Sequence, residues 1–93
     1  MYKISEYSKQ QAKRLGVKIY PSEKKNKKID VYSHDDSEYL GSIGDIRYKD
    51  YPTYLKEDGE EIARIHQYSY HRRHHKERDK IGTPGYYALN ILW

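Results

Sequence analysis

The chain has 93 residues, enough for one small domain over residues 1–93 with a thin core, burying about two-thirds of the surface its unfolded form exposes. Its apolar supply contains no Phe, one Met and one Trp beside twelve Tyr, and the absence of Cys excludes disulfides, thiolate zinc sites and thiol catalysis. Net charge is +4 but segregated: residues 1–29 carry a balance of +7, residues 30–61 of −7 and residues 62–93 of +4. A protein built only to coat a polyanion is more usually basic throughout.

Near the N-terminus, Ser8 with Gln11 three residues on reads as a capping box, Tyr7 as a staple onto Ala12, and Gly16 as a left-handed stop. This predicts a short helix over Lys9–Leu15. Val17 and Ile19 alternate with Lys18 and Tyr20 in a strand ending at Pro21, followed by SEKKNKK as a loop. Ile29 and Val31 alternate with Asp30 and Tyr32, and Leu40 to Ile43 is a third extended run. The polar HDDSE between them (His34–Glu38) predicts a hairpin, and Gly41 and Gly44 predict bulges or close backbone approaches.

Asp50 followed by Pro52 starts a second helix, which Gly59 interrupts. From Glu60 to about Arg78 the spacing is helical again, with Ile62, Ile65 and Tyr68 every three residues. Acids stand at its start and bases at its end, as the helix dipole favours. Thr83-Pro84 opens a last helix, about Pro84–Leu92, inside the densest apolar cluster of the chain. The order predicts an α+β fold: a small, mostly antiparallel sheet of about three strands with helices packed on one face. No apolar run reaches the roughly 18–20 residues of a membrane span and MYKISEYSKQ lacks a signal-peptide core, so no membrane span and a soluble intracellular protein are expected.

Three features bear on function. In YHRRHHKERDK, His71, His74 and His75 have helical spacing. Arg72, Arg73, Lys76 and Arg78 surround them and repel a cation, so no metal is expected there. The same arginines and lysines suit an anionic partner, and Lys24, Lys25, Lys27 and Lys28 of the KKNKK loop would extend that surface. Tyr48, Tyr51 and Tyr54 form one aromatic patch and Tyr86, Tyr87 and Trp93 another, suited to protein interfaces or to stacking on single-stranded nucleic acid. The acids of the middle third sit at turns and helix starts, where capping explains them. No nucleophile with a base and no phosphate-cradling loop is present, so neither an enzyme nor a cofactor is expected.

The blocks SKQQAKRLGVKIYPSEKKNKKIDVY, SIGDIRYKDYPTYL and HKERDKIGTPGYYALNILW cover most of residues 8–93. Together they resemble a group of small proteins encoded by large double-stranded DNA viruses of algae and protists and by some marine phages. The DYPTYL and GTPGYYALNILW segments are the most specific. The resemblance implies a viral protein made in the host cytoplasm or nucleus, and carries over no catalytic residues. With polarised charge and aromatic patches, two functions are expected. One is a minor capsid or other virion component that binds larger virion proteins through tyrosine-rich and charged patches. The other is an accessory protein that binds DNA or RNA in genome packaging or viral gene expression.

Overall fold

A computed structural model describes residues Met1–Trp93. The first helix, α1, spans Glu6–Leu15, three residues earlier than expected. Ser5 rather than Ser8 caps it, its hydroxyl accepting the Ser8 N–H at 3.1 Å. Ser8 is instead buried, and its hydroxyl donates to the Ile91 carbonyl at 2.8 Å. Local chemistry suits either serine as a cap, and the tertiary contact decides between them. Gly16 ends the helix at φ 72°, in the left-handed region.

Strands β1 (Val17–Pro21), β2 (Lys27–Ser33) and β3 (Tyr39–Asp45) form an antiparallel sheet in chain order. The pairing sets Ile19 opposite Val31 and Ile29 opposite Ile43, with an irregularity at Val31/Tyr32. HDDSE is the turn between β2 and β3, as the sequence predicted. The loop before β2 is shorter than expected: Lys27 and Lys28 already belong to the strand.

Asp50 caps α2 (Tyr51–Asp58), and Gly59 separates it from α3 (Glu60–Arg73). The helix predicted to run to about Arg78 stops at Arg73. His74 leaves helical geometry and a 3-10 turn follows over His75–Asp79. That turn packs on α4 (Pro84–Ile91), where Glu77 lies over Gly85 so closely that a Cβ there would collide with it. A helix continued through Lys76 would carry Glu77 away from this contact.

Helices α1 and α4 cover one sheet face, enclosing Ala12, Ile29, Val31, Ile43, Tyr87, Ile91 and Leu92. This is the α+β arrangement that the element order predicted. The end of α4 is its hub. The last carbonyls of a helix lack partners within it, and here the last two of α4 and the two that follow it find partners on three other helices. Asn90 O accepts from Gln11 of α1 and Ile91 O from Ser8 of α1. Leu92 O accepts from the Tyr51 N–H of α2, and Trp93 O from Gln67 of α3. The glycines of β3 allow this closeness. A Cβ at Gly41 would lie 2.7 Å from Pro84, and one at Gly44 2.8 Å from Leu92.

Candidate interaction surfaces

Lys28 was expected among the surface cations of KKNKK, but it is only 4% exposed. Its ammonium donates to Asp50 at 2.8 Å and to the Tyr48 carbonyl at 2.6 Å. Asp50, itself buried, also accepts the Tyr2 hydroxyl at 2.7 Å and the Thr53 hydroxyl and N–H at 2.6 and 3.0 Å. Burial alone would raise the Asp50 pKa. The hydrogen bonds from Lys28, Thr53 and Tyr2 outweigh it and hold the carboxyl below its ordinary value. The Tyr2 hydroxyl is pushed far up, first by burial and then by its bond to Asp50. An ion pair saturated in this way is a structural fastener between β2, the N-terminal segment and α2. It is not a docking cation.

The other lysines of the loop part company. Lys24 lies over the Tyr39 ring, 4.4 Å from its centroid, and pairs with Asp30 at 3.5 Å. Lys25 is exposed without an acidic partner. Lys27 lines a cleft of about 520 Å³ with Lys24, Arg47, Tyr48 and Lys49. No carboxylate lines that cleft, yet its rim is neutralised from outside. Arg47 pairs with Asp45 at 2.7 Å and Lys49 with Glu57 and Asp58 at 3.1 and 2.8 Å. Hydrogen bonds from the Arg47 guanidinium first, and then from the Arg47 backbone N–H, hold the Asp45 carboxyl down at about 2. Arg72, Arg73, Lys76 and Arg78 are all exposed and none has a carboxylate within 4.0 Å; none lines the Lys24–Lys27 cleft.

The histidines do not converge. His71 Nε2 is 3.1 Å from the Trp93 carbonyl, His74 stacks on Tyr70 at 4.2 Å, and His75 Nδ1 is 3.1 Å from the Arg72 carbonyl. No three His, Asp or Glu side chains anywhere gather as metal ligands would. His74 is one end of a column of rings: His74–Tyr70 is followed by Tyr70–Trp93 at 4.4 Å and 7°, Trp93–Tyr54 at 6.2 Å, and Tyr54–His66 at 3.9 Å and 3°. This column binds the end of the chain to α2 and α3.

Most of the aromatics expected at an interface are thereby engaged within the fold. Tyr54 and Trp93 belong to the column, Tyr51 packs on Tyr7 at 5.0 Å, and Tyr86 lies edge-on to the buried Tyr87. Of the six, only Tyr48 is exposed, at 67%.

The sequence reading passed over a different tyrosine set. Tyr20, Tyr32 and Tyr39, one from each strand, form a row of edge-on rings with centroids 5.8 and 5.5 Å apart, on the sheet face opposite Ile29 and Val31. Both signs of charge bracket them. Lys18 and the Tyr20 hydroxyl bond to Asp36 at 2.9 and 2.5 Å, while Asp30 accepts from Ser42 at 2.6 Å. A depression of about 680 Å³ opens beside Tyr20, Tyr32, Lys24 and Asp36. The signal was present in the sequence: Tyr20 and Tyr32 occupy the polar positions of the β1 and β2 alternation, so both point away from the core. Tyr39 required the hairpin register to join them.

No family model, no curated protein and no solved structure matches the chain. No helix is long and apolar enough to cross a membrane.

Proposed function

We propose that this chain is a non-enzymatic structural protein that holds a larger protein against its open sheet face. In the setting that the viral resemblance implies, it is a minor capsid or other virion component. The observation that carries this reading is the row Tyr20–Tyr32–Tyr39, flanked by Lys18, Lys24, Asp30 and Asp36. Tyrosines supply large contact area at low entropic cost and are enriched where protein interfaces bind most tightly. Charges of both signs suit the mixed surface of another protein better than a uniform polyanion. Seven of the eighteen lysines and arginines are already in ion pairs, which favours the same choice.

The test is incorporation into virus particles. A Tyr20→Ala/Tyr39→Ala variant, both side chains more than 40% exposed, should fold normally but be depleted from purified particles. Normal incorporation of that variant would sink the reading.

Nucleic-acid binding is the second reading, favoured by the unpartnered Arg72, Arg73, Lys76 and Arg78. It predicts binding to fluorescent duplex or single-stranded DNA that weakens by orders of magnitude between roughly 50 and 200 mM salt. Changing Arg72 and Arg73 together to Ala should flatten that dependence, and no binding at the lower salt excludes this reading.

A further inference from the structure

Helix α3 presents two opposed faces. Ala63, Gln67, Tyr70 and His74 fall within about 60° of arc at 100° per residue, and they meet α2 and the Trp93 ring column. Glu61, Ile65, Tyr68 and Arg72 fall within a similar arc on nearly the opposite side of the helix. Nothing in the fold covers this second face. Ile65 is 57% and Tyr68 68% exposed, with Ile62 beside them at 42%. Its two charged members are equally free: neither Glu61 nor Arg72 has an ion-pair partner in the chain, although Glu60 is paired with Arg64 and Asp58 with Lys49.

The order along this stripe is acid, apolar, apolar, base, with spacings of four, three and four. Reversed end for end, it keeps the same spacing and exchanges acid for base. We propose that the stripe is a homodimer interface in which α3 packs antiparallel on α3 of a second copy. A two-fold axis passing between Ile65 and Tyr68 sets each Glu61 opposite the partner copy's Arg72 and packs each Ile65 against the partner copy's Tyr68. Any two-fold contact needs a surface complementary to itself, and this stripe has that property both in charge and in apolar position. Polar residues satisfy the solvated face of an ordinary surface helix, whereas this face spends its central positions on Ile and Tyr. Parallel packing would set Glu61 against Glu61 and Arg72 against Arg72, which selects the antiparallel arrangement. The surface differs from the open sheet face, so the inference does not depend on the proposed capsid role.

The helix is about 21 Å long, and one pair of this length buries less than the roughly 1,200 Å² of tight interfaces, so association should be weak and reversible. The test is sedimentation equilibrium of the full chain from about 5 to about 500 µM, a range that spans weak association. A monomer–dimer equilibrium is expected. Ile65→Glu places two like charges close to the axis and should abolish the dimer across that range. Glu61→Arg or Arg72→Glu alone should weaken it about tenfold or more, since each creates two like-charge contacts. The double swap Glu61→Arg/Arg72→Glu should restore it. All four side chains face solvent in the monomer, so at low concentration, where the parent is monomeric, the circular dichroism of every variant should match that of the parent. Only the charge swaps, which reverse the charges at the ends of α3, should lower the thermal midpoint slightly. A chain that stays monomeric at the highest concentration overturns the proposal. So does a dimer indifferent to Ile65→Glu, or a double swap no stronger than either single change.

Discussion

Ile29, Val31, Ile43, Ile91 and Leu92 pack where α1 and α4 meet the sheet, and none is more than 2% exposed. On the other side of the molecule, the α2–α3 hairpin buries only Pro52 and Ala63 and leans on the ring column around Trp93. Aliphatic burial in the first region is non-directional and scales with area. Ring stacking and the two contacts to the Trp93 carbonyl are directional and few. Cooperative stability should therefore reside in the sheet half, while the hairpin should open first.

The buried ion pair joins the two halves, so breaking it tests the comparison hardest. Asp50→Ala leaves the Lys28 ammonium buried without its carboxylate, and should cost about 3–5 kcal/mol in chemical denaturation. Its pH dependence follows from the sign of the shift. The Asp50 carboxyl is held below its unfolded value, so its stabilisation is complete above about pH 4 and is lost as pH falls through the lower folded value. Acid unfolding of Asp50→Asn should be correspondingly shallower than that of the parent. An identical pH profile would mean that Asp50 titrates alike in both states.

Within the sheet half, Leu92→Ala should cost about 2–5 kcal/mol and lower the thermal midpoint cooperatively in all probes. In the hairpin, Trp93→Ala should cost about 2–3 kcal/mol, because the ring is only half-buried, and should act locally. Hydrogen exchange should accelerate at the amides of α3 while β2 remains protected. Uniform acceleration across both regions would show that the halves unfold as one.

The glycines give the finest contrast. Gly44→Ala adds a Cβ 2.8 Å from Leu92 and 2.9 Å from Lys28 at φ 81°, combining backbone strain with overpacking, for about 2 kcal/mol. Gly16→Ala meets nothing within 4 Å and carries only the cost of φ 72°, about 1 kcal/mol. Equal melting shifts for the two would remove the packing component claimed for Gly44.

Much of this architecture is written locally. The alternation of Val17 with Ile19 and of Ile29 with Val31, the Asp50 cap, and the stops at Gly16 and Gly59 each depend on a few neighbouring residues, and those elements formed where expected. What failed depended on partners distant in sequence. Ser8 looks like a cap until Ile91 lies above it. Lys28 looks like the end of a basic loop until Asp50, twenty-two residues away, reaches it. The helix expected to run to about Arg78 stops at Arg73, where the packing of Glu77 on Gly85 turns the chain aside. The site was less legible than the fold. Tyr20, Tyr32 and Tyr39 become one surface only through the register of three strands.

The sequence by itself determined the class of fold, the order of its elements and the segregation of charge, because helix and strand periods, caps and turns are short-range properties of the chain. Only the tertiary structure decided which tyrosines remained available, which lysine was buried, and which side of α3 stayed bare. Burial and pairing are set by residues that meet across the chain, and a one-dimensional pattern shows which way a side chain points but not what waits there.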